Sequence, residues 1–180
     1  MRAPSRYIAL LRGINVGRAK RIAMADLRQL IAELGYGDVR TLLNSGNAVF
    51  TAKVKPAAAA AAIQEALVVK LGVAAKVTVI SADELDTVMA ENPLLEAQAD
   101  GSRLLVFMVT DPARIATLDA LAAQQWEPEV VALGSRAVYL WCPEGVLDSK
   151  VAIALGKQLG DGMTARNWNT ISKLKAMCAA

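Results

Sequence analysis

Arginine and asparagine side chains follow the first apolar run of this chain in an order that suits anion binding. Residues 7–11 lead directly into Arg12, Gly13, Ile14, Asn15, Val16 and Gly17. Arginine offers a planar fork of donors that matches a phosphate or a carboxylate, and asparagine adds further donors. The glycines allow backbone amides to approach a ligand closely. This segment therefore predicts an anion-binding loop at the end of a strand.

A second polar segment, Asn44-Ser45-Gly46-Asn47, separates two short apolar runs and has the composition of a tight hairpin turn. If the first and third strands are neighbours, this turn and the loop after residue 11 emerge at the same end of the sheet. The helix that begins near Met24 starts at that end as well, and its N-terminus favours anions. We expect one ligand-binding rim, formed by residues 12–17 and 44–47, whose contacts come from Arg12, Asn15, Ser45 and Asn47. Ordinary turn chemistry is the alternative explanation for these residue types.

Two segments of the second half show related chemistry. Ser149-Lys150 opens a helix, although it lacks the glycine-rich pattern of a P-loop. The run 166–170 carries Arg166, Asn167 and Asn169, which together with Lys150 are further candidates for ligand binding. The alternative is that Asn167 or Asn169 caps the last helix and that Trp168 packs into the core.

Catalytic patterns are sparse in this chain. It contains no histidine, so acid and base catalysis would fall to Asp26, Asp148, Lys150 or Lys20. No nucleophile stands beside a base, and the two cysteines do not have the spacing of metal ligands. The sequence predicts no metal and no cofactor. It favours a module that binds an anionic, phosphate-bearing small molecule or nucleotide. A histidine-independent enzyme acting on a phosphorylated or acylated substrate is the alternative, so the question of enzymatic activity stays open.

Nucleic acid is a second alternative partner, because paired small α+β units can serve as RNA platforms. A cluster of four cations without an intervening acid, Arg12, Arg18, Lys20 and Arg21, agrees with that alternative. The aromatic content of 4% and the net charge of +3 argue against it. We expect the strand aromatics, Phe50, Phe107, Tyr139 and Trp141, to be core residues.

Composition favours a folded cytoplasmic protein. The chain has 180 residues, of which 54% are hydrophobic, and it contains no apolar stretch of membrane-spanning length. We therefore expect no membrane partner and two reduced cysteines. The sequence does not indicate an oligomeric state.

The hydrophobic pattern predicts an α+β fold in which each half has the order β-α-β-β-α-β. This order is that of two tandem ferredoxin-like subdomains with antiparallel sheets. The predicted boundaries are 1–91 for the first subdomain with a short connecting helix, 92–102 for a linker, and 103–180 for the second subdomain with a terminal helix. One continuous mixed sheet of about eight strands is the competing arrangement.

Several motifs of this chain together resemble one bacterial family of unknown function, DUF1697. They span nearly the whole chain and comprise residues 11–17, 24–27, 38–41, 45–50 and 166–170. The resemblance implies a tandem ferredoxin-like α+β fold and no established activity. Ser149-Lys150 fits the pattern of the family. Arg18, Ala19 and Ala165 depart from it.

Overall fold

A computed structural model describes residues 3–18, 20–95 and 100–180 and confirms the α+β class. The chain forms two compact units, Met1–Leu85 with Leu174–Ala180, and Asp86–Lys173. The strands are β1 Ser5–Arg12, β2 Gly37–Leu42, β3 Asn47–Ala52, β4 Lys76–Ser81, β5 Leu104–Val109, β6 Val130–Leu133, β7 Ala137–Trp141 and β8 Met163–Asn167. The α-helices are α1 Met24–Glu33, α2 Pro56–Leu71, α3 Ala82–Ala90, α4 Asp119–Ala122, α5 Lys150–Leu159 and α6 Trp168–Ala179.

The first unit contains a four-stranded antiparallel sheet in the order β2-β3-β1-β4. Side chains alternate between the two faces of a strand, and those of Tyr7, Ala9 and Leu11 join a hydrophobic core with α1 and α2. The helices contribute Leu27, Ile31, Ile63 and Leu67 to this core. Ile8, Leu10 and Arg12 therefore lie on the opposite face of the sheet.

Local sequence explains where the helices of this unit begin and end. Pro56 occupies the first turn of α2, and Gly72 ends it in a left-handed conformation with φ of 65°. At the start of α3, the Ser81 backbone amide donates to Glu84 Oε2 at 2.7 Å, and the Glu84 amide donates to Ser81 Oγ at 3.1 Å. The sequence pattern Ser-x-x-Glu at residues 81–84 predicts a capping box, and these two bonds form it.

The second unit contains a separate four-stranded antiparallel sheet in the order β6-β7-β5-β8. The side chains of Phe107, Val138 and Leu140 pack with Val151 and Leu155 of α5 in its core. The alternative of one continuous mixed sheet is therefore wrong for the described strands, which form two sheets.

The apolar pattern of the second half predicts a helix at 112–123, a helix at 148–159 and a strand at 163–168, and the structure differs from each of them. The helix predicted at 112–123 is a 3₁₀ helix at Pro112–Leu118 followed by the short α4. Thr117 Oγ1 donates to the Arg114 carbonyl at 2.6 Å, a local bond that favours the tighter turn. Helix α5 begins at Lys150 because Ser149 is its N-cap, and β8 ends at Asn167 because α6 starts at the next residue.

The predicted domain boundaries stay predictions. The predicted linker, 92–102, contains residues 96–99, which lie outside the described residues, as does Ala19. Within the described part of the chain, no helix has both the length and the apolar character needed to cross a membrane.

Candidate functional site

The structure brings together the two segments of the predicted rim. Leu10 pairs with Asn47 across β1 and β3, and the Leu11 amide donates to the Gly46 carbonyl at 2.8 Å. The β1–α1 loop and the β2–β3 turn therefore emerge side by side at one end of the first sheet.

Asn15 joins these two loops through its side-chain amide. Its Nδ2 donates to the Asn44 carbonyl at 2.6 Å and to the Ile22 carbonyl at 2.9 Å, and its Oδ1 accepts from the Ile22 amide at 2.8 Å. The residue has a positive φ of 53°, which asparagine tolerates better than most side chains. Asn15 thus holds the shape of the rim. Direct ligand binding by its side chain stays a prediction.

Asn47 has a similar internal role in the turn. It is fully buried, and its Nδ2 donates to the Leu42 carbonyl at 2.8 Å and to Ser45 Oγ at 2.9 Å. Ser45 itself is exposed. Of the two, Ser45 is the better placed to reach a ligand, and contact of either residue with a ligand stays a prediction.

The β1–α1 loop carries most of the positive charge near the rim. Arg18, Lys20 and Arg21 are exposed, and Arg12 is half-buried. The Asn15 amide donates to the Lys20 carbonyl at 3.0 Å, so the loop closes on itself and holds Lys20 beside Asn15. No aspartate or glutamate occurs between Arg12 and Ala25 in the sequence. The arrangement produces a local excess of positive charge that attracts anions.

Arg12 and helix α1 lie on opposite faces of the first sheet. The α1 N-cap residue, Ala23, makes no side-chain capping bond, and Asp26 is the acid in its first turn. Because Arg12 shares the face of Leu10 and Asn47, the helix N-terminus and the guanidinium approach the rim from different sides. The expected contribution of the α1 dipole to a ligand at Arg12 stays a prediction.

Strand register identifies one cation that sequence reasoning missed. Lys76, the first residue of β4, pairs directly with Arg12 at the end of β1. Directly opposed residues of an antiparallel pair project from the same face. The β-branched run of β4 predicts a strand but not its register, so only the topology reveals this neighbour.

The N-terminus of α5 in the second unit is already occupied by a carboxylate of the protein. Glu129 Oε1 accepts from the Lys150 amide at 2.8 Å, and Glu129 Oε2 accepts from the Ser149 hydroxyl. Ser149 Oγ in turn accepts from the Ala152 amide at 3.0 Å. These are the groups that would hold a phosphate at this helix, which weakens the case for a ligand at Lys150.

The cavity beside α5 is small and its lining is acidic. Its volume is about 70 Å³, below the roughly 300 Å³ at which small-molecule sites begin. Cys142 lies in its wall, and burial, followed by the charge of Glu129, raises the pKa of this thiol. The thiol is therefore protonated near neutral pH and is a poor nucleophile.

Arg166 and Lys150 lie on opposite faces of the second sheet. Met163 of β8 joins the core that contains α5, so Arg166, three residues along the same strand, projects from the other face. Its Nη1 donates to Thr164 Oγ1 at 3.1 Å and to the Ala165 carbonyl at 2.8 Å. Burial lowers the pKa of the guanidinium to about 10, which leaves it charged at neutral pH.

Asn167 and Asn169 flank Trp168, the first residue of α6. Asn167 Oδ1 accepts from the Thr170 amide at 2.9 Å, the geometry of a helix cap. The exposed Asn169 lies against Gly101, and a Cβ on that glycine would clash with Asn169 Oδ1. Trp168 is half-buried, and its amide donates to the Gly101 carbonyl at 3.0 Å. Capping thus accounts for Asn167 without a ligand.

A larger cavity, about 400 Å³, lies at the opposite end of the first sheet from the rim. It is lined by Arg6, Asp83 and Glu84 among others, and Arg6 forms an ion pair with Asp38. The lining therefore carries no excess of positive charge and does not favour an anion.

Three of the four strand aromatics are core residues, as the sequence predicts. Phe50, Phe107 and Tyr139 are buried, whereas Trp141 is only half-buried, and Phe50 stacks on Tyr36 with ring centroids 5.2 Å apart. RNA-binding sheets expose such rings to bases. The described residues also contain no group of three or more histidine, cysteine, aspartate or glutamate side chains placed to hold a metal ion.

Comparison with known proteins places the chain in a family. A solved structure entitled "The structure of conserved bacterial protein SP0830 from Streptococcus pneumoniae" matches with a TM-score of 0.80 and 24% identity. The match covers 98% of this chain and 99% of that one, and at this identity it shows the fold alone. A comparison with curated proteins found no match. The model of the family described as "Protein of unknown function (DUF1697)" matches residues 5–139, and the chain belongs to that family.

Proposed function

We propose that this protein binds an anionic, phosphate-bearing small molecule or nucleotide at the rim of its first unit. The observation that carries the proposal is the bridge made by Asn15, whose Nδ2 lies 2.6 Å from the Asn44 carbonyl. This bond holds the β1–α1 loop, which has three cations and follows Arg12 at the end of β1, against a turn that presents the exposed Ser45. Donors and charges that are already held in place need less ordering when a ligand binds than mobile ones do, so the free-energy cost of binding is smaller.

Arg12 provides the main direct contact in this proposal. Its guanidinium suits phosphate because two parallel N–H groups can donate to two oxygens. Lys20 and Arg21 add charge from the closed loop, and Ser45 adds a hydroxyl. Asn15 and Asn47 hold the two segments in place.

The proposed scaffold is a tandem pair of ferredoxin-like subdomains derived by duplication. The order β2-β3-β1-β4 of the first sheet and the order β6-β7-β5-β8 of the second follow the same pattern along the chain. That pattern, with β-α-β-β-α-β connectivity, supports the ferredoxin-like assignment. We also place the protein in the cytoplasm, which its two free cysteines support.

The test is a thermal-shift screen of nucleotides and phosphorylated metabolites at low salt. Wild-type protein is compared with Arg12→Ala and with the control Lys53→Ala. Lys53 is an exposed cation just after the far end of β3, at roughly 17 Å or more from the rim. At least one compound should stabilise wild type and the Lys53 variant. Loss of a charge-assisted contact in the Arg12 variant should weaken binding by about 10- to 100-fold.

Two outcomes contradict the proposal. If no phosphate-bearing compound shifts the melting temperature of wild type, the rim is not an anion site. If a shift is equally large in Arg12→Ala, the ligand binds elsewhere.

A further inference from the structure

Two aliphatic side chains of the rim are exposed to solvent, one from each of its two segments. Val16 in the β1–α1 loop is 72% exposed, and Leu43 in the β2–β3 turn is 52% exposed. Val16 directly follows Asn15, and Leu43 directly precedes Asn44, whose carbonyl accepts the 2.6 Å bond from Asn15 Nδ2. Each aliphatic residue is therefore one Cα step, about 3.8 Å, from an end of this bridge. The bridge keeps their backbones near each other.

The exposure of Val16 contrasts with the burial of the other aliphatic residues in its loop. Ile14 is 3% exposed and Ile22 is 5% exposed, and both belong to the core of the first unit. Ile14 also lies against the turn, because a Cβ on Gly46 would be 2.8 Å from Ile14 Cδ1. These two isoleucines anchor the loop, so Val16 is not needed for that purpose.

Leu43 has a backbone conformation that leucine rarely adopts. Its φ is 59°, in the left-handed region, where a Cβ comes too close to the following carbonyl oxygen. Asparagine and glycine adopt this region at lower cost, and both occur at later positions of the same turn. About half of the Leu43 side chain is exposed, so contacts within the unit offset only part of the cost. Residues with such strain cluster at sites that clamp a ligand.

Two cations without an acidic partner lie in the same loop as Val16. Lys20 and Arg21 are exposed, and within the described part of the chain neither of them forms an ion pair. The Lys20 carbonyl accepts from the Asn15 amide at 3.0 Å, which holds Lys20 near the bridge. An aliphatic surface beside uncompensated positive charge suits a ligand that has both an apolar part and an anionic part.

We propose that Val16 and Leu43 pack against the base of a bound nucleotide whose phosphoryl groups contact Lys20 and Arg21. The inference rests on the proposed function and selects a nucleotide from the ligand classes given there. The faces of a base are planar and largely apolar, so aliphatic side chains can remove them from water, and the gain in free energy grows with the apolar area buried. A phosphate without a base would leave both aliphatic side chains in water.

The proposal predicts different effects of one substitution on stability and on binding. Leu43→Asn removes the aliphatic side chain and places a residue that tolerates a positive φ at this position. The free variant should melt at about the same temperature as wild type, because the lower backbone cost offsets the lost contacts of a half-exposed leucine. Its affinity for a nucleotide should fall. A leucine with a purely structural role would instead lower the melting temperature when replaced.

The experiment is isothermal titration of ADP, GDP, UDP and inorganic pyrophosphate into wild type, Val16→Ser, Leu43→Asn and the control Val54→Ser. Val54 is an exposed valine just beyond the far end of β3. We expect at least one of the three nucleotides to bind wild type at least tenfold more tightly than pyrophosphate does. Val16→Ser and Leu43→Asn should each weaken that nucleotide by about three- to tenfold and leave the affinity for pyrophosphate unchanged. Val54→Ser should match wild type for both ligands.

The other outcomes separate this inference from the proposed function. If no nucleotide binds more tightly than pyrophosphate, or if both rim variants keep the nucleotide affinity of wild type, the inference is wrong and the proposed function stands on the binding of pyrophosphate. An equal loss of affinity for pyrophosphate and nucleotide in the two variants would mean that these residues shape the rim rather than contact a base, which also overturns the inference. If none of the four ligands binds and no compound of the thermal-shift screen does either, both proposals fail.

Discussion

Asn15 has a structural role in the rim, because its side chain holds the β1–α1 loop against the β2–β3 turn. Its side chain makes three hydrogen bonds with backbone groups of Ile22 and Asn44, and its φ is positive. Asparagine combines tolerance of the left-handed region with an amide that can donate and accept. The residue type therefore fits a loop tie as well as a ligand contact, and only the structure shows the tie.

Gly46 provides a residue-scale prediction for the stability of the rim. Its φ is 87°, and a Cβ at this position would lie 2.7 Å from Leu11 Cβ and 2.8 Å from Ile14 Cδ1. Gly46→Ala should lower the free energy of unfolding by about 2–4 kcal/mol, since backbone strain and overpacking add. Urea denaturation of the variant and wild type measures the loss.

The matched control is Gly72→Ala. Gly72 also has a positive φ, 65°, but a Cβ there would meet nothing within 4 Å. This variant should lose only the backbone term, about 1–2 kcal/mol. Equal losses in the two variants would contradict the close packing between the turn and the β1–α1 loop.

At the scale of elements, the Asp38 carboxylate connects strand β2 with strand β1. Its carboxylate accepts from Arg6 on β1 and lies 3.3 Å from Arg40 Nη2, which also donates to the Met177 carbonyl of α6 at 2.7 Å. The hydrogen bond from Arg6 is the main reason that the pKa of Asp38 is lowered, and the charge of Arg40 lowers it further. This cluster links the edge strand to β1 and to the end of α6.

The lowered pKa predicts a pH dependence of stability. A carboxyl group whose pKa is lower in the folded state stabilises the protein above its unfolded pKa of about 4 and loses this effect as pH falls further. Asp38→Asn, which suits the positive φ of 47°, should therefore show a shallower loss of stability below about pH 4 than wild type. Urea midpoints at pH 3 and pH 7 test this, and identical differences in both proteins would contradict the role of Asp38.

Helix α5 illustrates which part of a site local sequence can predict. Ser149 marks the helix start, and the structure shows it as the N-cap. Glu129 fills the same helix end from twenty residues earlier, and no local pattern indicates that long-range contact. The helix start alone predicts a phosphate site at Lys150. The local sequence does not reveal that Glu129 already occupies this helix end.

At the scale of the whole molecule, periodicity and turn chemistry predicted the α+β class and the order of strands and helices in each unit. The main error in element type was the helix at 112–123, where Thr117 and its neighbours form a 3₁₀ turn. The sequence does not predict strand register, so only the structure reveals that Lys76 pairs with Arg12. The solved structure from Streptococcus pneumoniae has this fold at 24% identity, as expected when apolar patterning rather than particular residues specifies a fold.

The central claim is that an anion binds at the rim rather than at the N-terminus of α5. A titration of ADP into ¹⁵N-labelled wild-type protein, followed by amide chemical shifts, tests it most directly. We predict saturable shifts concentrated in the amides of residues 12–22, 43–47 and 76–78, and their loss in Arg12→Ala. Shifts concentrated at residues 149–152, or no saturable shifts at all, would contradict the claim.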